Sequence, residues 1–210
     1  MANYIQYGCG MSAPEKWVNF DASPTLRIQK LPLIGKLLVR NKVVFPDAVR
    51  YGDITKGLPG IEANSCDGIY CSHILEHLSL NDCRIALQQT HLYLKPGGVF
   101  RCVVPDLEFY IRAYTETVQH QKEKAAMNFM ESSLLGLPER PKGLKGMIIA
   151  AFGNSHHLWM WDRYSLTAEL RKAGFSSVRE CTFNDSADPH FKLVEHDGRF
   201  QEAVALEAIK

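Results

Sequence analysis

Three short apolar runs near the start of this chain each break on glycine or an acidic residue, and that recurrence constrains the fold more than any other feature. Tyr4 to Tyr7 stops at Gly8-Cys9-Gly10, Trp17 to Phe20 stops at Asp21, and Ala48 to Tyr51 stops at Gly52-Asp53. Apolar runs of this length, bounded by turn residues, read as buried strands. A fourth run, Asp67 to Cys71, ends at Ser72-His73, and a fifth, Val99 to Val104, ends at Pro105-Asp106. Between these two, Leu80, Cys83, Leu87, Thr90 and Leu94 recur at helical spacing. Ser79 with Asp82 makes a capping-box start for that helix, and Lys95-Pro96-Gly97-Gly98 makes its stop. Tyr164 to Ala173 reads as a helix ended by Gly174, and Ser177 to Phe183 and Ala203 to Ile209 read as closing strands. Strands alternating with helices predict an α/β fold, doubly wound around a mostly parallel sheet.

Two stretches break the rhythm. Only about ten residues separate the first two strands, close to the lower limit for a parallel crossover containing a helix, so that helix is expected to be a stub or missing. Residues 106–163 form an insert after the fifth strand. It comprises a long helix over Leu107 to Met130, a Pro/Gly/basic loop over Leu137 to Gly146, and a cluster containing His156, His157, Trp159, Trp161 and Asp162. Open α/β sheets bind ligands outside the carboxyl ends of their strands, so this helical insert is expected to act as a lid within a single domain spanning 1–210.

The strand-end residues carry a nucleotide-binding chemistry. Glycine at positions 8 and 10 lets the backbone approach a ligand. A carboxylate at Asp21 can accept both hydroxyls of a ribose. Asp53, with the N–H of Ile54, can bond the amine and a ring nitrogen of adenine. Any one of them is an ordinary turn residue by default; three at consecutive strand ends point to a site.

Four segments resemble the class I S-adenosylmethionine-dependent methyltransferases, in particular the type 11-like group: Ile5 to Gly10, Gly52-Asp53-Ile54, Asp67 to Leu78, and Leu94 to Gly98. The resemblance covers residues 3–105, and the stretch from Trp161 to Phe175 is similar to that family's last helix and the strand after it. It implies a seven-stranded sheet with an antiparallel final strand, S-adenosylmethionine as cofactor, and methyl transfer to an acceptor. Carried over by position, Gly8, Cys9 and Gly10 face the methionine moiety, Asp21 the ribose, Asp53 and Ile54 the adenine, and Ser72 with His73 the reactive side. The chain departs from the pattern at Met11, where a further glycine is usual.

Methyl transfer requires holding a nucleophile in line with the methyl group and excluding water. An oxygen acceptor gains from a general base, and His73, His156 and His157 are the candidates. The run His73-Ile74-Leu75-Glu76-His77 also matches the inverted zinc-protease signature H-x-x-E-H, which on one helix would put two imidazoles on one face for a zinc hydrolase. The methyltransferase pattern accounts for the same residues, so no metal is expected. A nicotinamide-dependent oxidoreductase would want a third glycine after Gly10, and a non-catalytic module of this fold would not need Asp21 and Asp53 intact.

The formal net charge is +1. That provides no global field for nucleic acid, so no nucleic-acid partner is expected. The acceptor is expected to be a small molecule or a glycan- or lipid-linked metabolite. The stretch Thr25 to Phe45 holds five basic and no acidic side chains before Asp47 around an apolar run, and reads as a short amphipathic helix capable of weak contact with a membrane surface. Six scattered cysteines without a C-x-x-C pair read as reduced thiols. Met1 to Tyr7 lacks the features of a signal segment, and a cytoplasmic protein is expected.

Overall fold

The computed structural model describes residues 3–32, 44–139 and 156–210. Seven strands form its sheet: β1 (Tyr4–Tyr7), β2 (Val18–Asp21), β3 (Arg50–Tyr51), β4 (Cys66–Ser72), β5 (Leu94–Pro105), β6 (Ser177–Glu180) and β7 (Ala203–Ile209). Their order is β3-β2-β1-β4-β5-β7-β6. β1 to β5 run parallel, and β7 runs antiparallel to both β5 and β6. This is the arrangement that the resemblance implies. The order reverses between β1 and β4, so a crevice opens at their carboxyl ends.

Among the described residues the α-helices are α1 (Pro24–Gln29), α2 (Leu80–Tyr93), α3 (Leu107–His120), α4 (Lys122–Ser132) and α5 (Arg163–Lys172). α2 begins as its sequence indicates: the Ser79 hydroxyl accepts the Asp82 N–H and donates to the Asp82 carboxylate at 2.7 Å. Side chains alternate along β1 and β5 between the two faces of the sheet, both of them buried. One face packs Ile5, Tyr7, Ile69, Phe100 and Cys102 against Cys83 and Leu87 of α2 and Leu166 and Leu170 of α5.

The opposite face has a second cluster. Tyr4, Tyr70, Val103 and Ala205 pack there on Trp17, Phe191 and Val194. The last two belong to or follow a 3-10 turn, Pro189–Leu193, rather than an α-helix. The β1–β2 link holds no helix, as its length requires. Two buried amides take the helix's place beneath it. Gln6 Nε2 donates to Asn19 Oδ1 at 2.6 Å and to the Ser12 carbonyl at 3.0 Å, and Asn19 Nδ2 donates to the Trp17 carbonyl at 2.9 Å.

This face also buries Arg101, in the middle of β5. Its guanidinium donates to Glu195 at 2.6 Å, Glu207 at 2.7 Å, Asp185 at 2.9 Å and the Thr182 carbonyl at 3.0 Å. Its five N–H groups suit such a fan of acceptors. Arg179 on β6 joins the same Asp185 and Glu207 carboxylates from the surface.

Three element expectations change: those for the insert's long helix, the third strand and the sixth. Of the stretch Thr25 to Phe45, the described part is helical up to Gln29, and residues 33–43 lie outside the described set. The Leu107 to Met130 helix is two helices, because Gln121 leaves helical backbone at φ −144°. The third strand keeps two residues and β6 stops at Glu180. Of the loop expected over Leu137 to Gly146, residues 140–146 lie outside the described set. No helix among the described residues is long and apolar enough to cross a membrane.

Candidate active site

The crevice at the β1/β4 reversal holds a cavity of about 480 Å³ lined by Gly8, Asp21, Asp53, Ile54 and His73, with Thr25, Phe45, Ile74, His77 and Leu78 completing much of its wall. That volume is within the range of small-molecule and cofactor sites, roughly 300–1,000 Å³. Five of the sequence candidates therefore meet in one space. Of these wall residues, Phe45, His77 and Leu78 had no place in the predicted cofactor set, and no local signal in the sequence marks Phe45 as a wall residue.

Gly8 takes φ +68° and Gly10 φ +54°, the left-handed region in which glycine is at ease. Gly8 is doubly constrained, since a Cβ there would overlap the Ile74 side chain. Asp21, the last residue of β2, is buried with its carboxylate at the cavity wall. Oδ2 accepts the Gly10 N–H at 3.0 Å and Oδ1 the Ser23 N–H at 2.7 Å. A carboxylate offers about four acceptor positions, so each oxygen retains capacity for one more donor. Asp21 thus shapes the glycine turn and faces the cavity at once.

Asp53 caps a single 3-10 turn, Ile54–Lys56. Its carboxylate accepts the Thr55 N–H at 3.0 Å and hydroxyl at 2.7 Å, and pairs with Lys56 at 2.8 Å. Burial pushes this carboxyl up, but Lys56 and Thr55 outweigh burial and leave it below the usual range.

Cys9 and Ser72 lie to one side, on a smaller space of about 50 Å³ shared with Tyr70, His196 and Arg199. Burial, then the Asp21 charge, pushes the Cys9 thiol up to about 12, so it is no nucleophile at neutral pH. Gly10 does not line the main cavity; its part is the N–H it gives to Asp21.

The segment after β4 differs from the helix that H-x-x-E-H would need. His73 takes φ +55° and only Leu75–His77 is helical, as one 3-10 turn. The two imidazoles are therefore not stacked on an α-helical face as the zinc-hydrolase reading requires. Each ring is instead fixed by a backbone carbonyl. His73 Nε2–H donates to Arg199 O at 2.9 Å, and His77 Nδ1–H donates to His156 O at 3.0 Å. Glu76 is fully buried, and burial pushes its carboxyl up to about 8. Burial also lowers the His73 and His157 imidazoles, favouring their neutral forms.

The returning segment carries the other histidines to this place. Leu158 N–H and Trp159 N–H both donate to the Glu76 carbonyl, at 2.7 and 3.1 Å. The His157 ring packs edge-on against His77 with centroids 5.0 Å apart. Trp161 is buried, its indole N–H aimed at the Leu75 carbonyl at 3.4 Å. Asp162 points away as the N-cap of α5, bonded to Ser165. It lines a larger cleft of about 800 Å³ with Asp106, Tyr164 and Phe183. That cleft contains none of Gly8, Asp21, Asp53, Ile54 and His73, so size alone does not identify the site here.

Comparisons with known proteins agree with the geometry. A family model described as a methyltransferase domain matches residues 11–180. No curated protein matches the sequence. Among solved structures, the fold is similar to a SAM-dependent methyltransferase of Thermotoga maritima, at TM-score 0.52 and 16% identity, over 100% of this chain and 83% of that one. It is likewise similar to a SAM-dependent methyltransferase of Archaeoglobus fulgidus, at TM-score 0.52 and 14% identity, over 100% and 86% of the two chains.

Proposed function

The chain belongs to the methyltransferase-domain family, and we propose that it holds S-adenosylmethionine in the cavity at the β1/β4 reversal and methylates an acceptor admitted from the His73–His157 side. That it is an S-adenosylmethionine-dependent methyltransferase follows from the family; the residue roles and the kind of acceptor are our reading. One observation carries it: Gly8, Asp21, Asp53, Ile54 and His73 line a single cavity. In this reading the free acceptor positions of Asp21 take the ribose hydroxyls. Asp53 is held by Thr55 and Lys56 with Ile54 beside it, and marks the adenine end. Gly8 gives the methionine moiety close access to the backbone, with Gly10 and Cys9 forming the turn behind and Ser72 next to it.

When bound, the cofactor supplies a methyl group already activated on a sulfonium, so the protein's work is placement and proton removal. His73 suits the second task. Its Nε2–H is tied to the Arg199 carbonyl, which leaves Nδ1 as the ring's proton acceptor, 3.5 Å from Glu76 Oε1. His156 and His157 are not among the residues lining the cavity but touch His77, which does line it, and in this reading they orient the acceptor through that contact.

Residues 106–163, as a lid, would close this side. Thr25 and Phe45, the two ends of the basic segment, both line the cavity. This supports a small acceptor or a glycan- or lipid-linked one bearing negative charge. Calorimetry with S-adenosylmethionine and S-adenosylhomocysteine tests the reading. Dissociation constants in the micromolar range, roughly −7 to −9 kcal/mol, are expected. Binding of a nicotinamide dinucleotide with neither adenosyl compound bound would overturn it.

A further inference from the structure

A buried carboxyl beside the cavity, Glu76, has imidazoles near it, His73 Nδ1 at 3.5 Å and His77 Nε2 at 3.8 Å, but no hydrogen bond. Both carboxylate oxygens of Glu76 are fully buried without a hydrogen bond among the described residues, and so is Nδ1 of His157. A buried ionisable group left without partners is costly, and such groups are normally paired or bind metal. One ligand atom each from Glu76, His77 and His157 lies within 4.8 Å of the other two. His77 Nε2 stands 3.8 Å from Glu76 Oε1.

The His77 ring is prepared for an ion as well as close to the other two groups. The His77 Nδ1–H bond to the His156 carbonyl fixes the tautomer, so Nε2 presents its lone pair toward Glu76. Metal-ligating histidines regularly give their other ring nitrogen to a carbonyl or carboxylate in this way. The two bonds from Leu158 and Trp159 to the Glu76 carbonyl clamp the two chain segments together at this point.

We propose that Glu76, His77 and His157 form a site for one divalent transition-metal ion, zinc being the best match to a His₂Glu donor set. Ligand atoms on a tetrahedral ion with bonds of about 2.0–2.2 Å lie about 3.3–3.6 Å apart, so the cluster must close by some tenths of an ångström up to about 1.5 Å. Three protein ligands leave a fourth position open, and His77 lines the cavity. If the cavity is the methyltransferase site proposed above, that position faces the acceptor, and it would select an acceptor with an oxygen donor. The sequence alone favours no metal. H-x-x-E-H supplies Glu76 and His77 in a different geometry, and the third ligand arrives from a segment far along the chain.

The test is metal binding by the full chain. The purified protein, stripped with chelator, is titrated with zinc against a chromophoric competitor and with cobalt by visible absorption, alongside His157→Ala, Glu76→Gln and His156→Ala. One equivalent of zinc and the intense bands of four-coordinate cobalt are expected for wild type. His156→Ala, which keeps its backbone carbonyl, should retain both, while His157→Ala and Glu76→Gln should weaken zinc at least 100-fold. Absence of stoichiometric zinc or cobalt binding by wild type would overturn the site, as would undiminished binding in a folded His157→Ala. Calorimetry with S-adenosylhomocysteine on the same samples separates the two proposals. Metal without adenosyl binding sinks the cavity assignment alone, and adenosyl binding without metal sinks the metal site alone.

Discussion

Replacing Asp21 by Asn keeps the side chain's shape and removes one acceptor. In the native protein Oδ1 and Oδ2 each accept a backbone N–H, from Ser23 and Gly10. An amide can satisfy one of these and must oppose a donor to the other. Losing a hydrogen bond to a charged acceptor costs about 1.5–3 kcal/mol. The free protein should therefore lose stability by that amount, which for a domain of this size is a melting-temperature drop of about 3–12 °C. The same substitution removes one of the two acceptors offered to the ribose. A second loss of about 1.5–3 kcal/mol then appears in binding, and S-adenosylhomocysteine should bind about 10- to 150-fold more weakly. Thermal melting and calorimetry on the same variant read the two effects separately. Lowered stability with affinity within twofold of wild type would mean that Asp21 serves the glycine turn alone, and would refute the ribose assignment.

Two further substitutions test the frame around the site. Gly8→Ala places a Cβ against Ile74 and forces a side chain into φ +68°. The left-handed backbone alone costs about 1–2 kcal/mol, so a melting-temperature drop of about 2–8 °C is expected, partly restored in Gly8→Ala/Ile74→Ala. An unchanged melting curve would show that the turn is not held as described. Arg101→Met strands the fully buried Glu195 carboxylate, and chemical denaturation should record a loss of about 3–5 kcal/mol. Arg101→Met/Glu195→Leu should recover most of it; a double variant as weak as the single would locate the energy in Asp185 and Glu207 instead.

The elements that the sequence announces are those whose signals are local. Ser79 and Asp82 start α2 by bonding one another. The alternation Ile5/Tyr7 against Tyr4/Gln6 sets the two faces of β1. What the sequence hides is what fills the second face. Phe191 and Val194 reach it from a 3-10 turn, which has no apolar period to detect, and Trp17 reaches it from a link too short for a helix. Arg101 is itself a local signal. A lone arginine inside the apolar run Val99 to Val104 must meet carboxylates, and Glu195, Glu207 and Asp185 supply them. Gln121 carries no such mark, since nothing in its side chain forbids the helical backbone it abandons.

The same contrast divides the active site. Its cofactor half is made of strand ends, so each residue is announced by the short run before it: Gly8 after β1, Asp21 after β2, Asp53 after β3. Parallel strands bring these ends together whatever lies between them, and the sheet order alone predicts one cavity. The acceptor half has no such rule. His73, Glu76 and His77 acquire their partners from His156, His157 and Arg199, and the bonds that join them are mostly to backbone carbonyls, which any residue type could supply. A local pattern such as H-x-x-E-H misleads in that setting, because it assumes an α-helix where the chain makes one 3-10 turn. Reading the acceptor therefore depends on what His157 and Glu76 bind together, and not on either residue's place in the sequence.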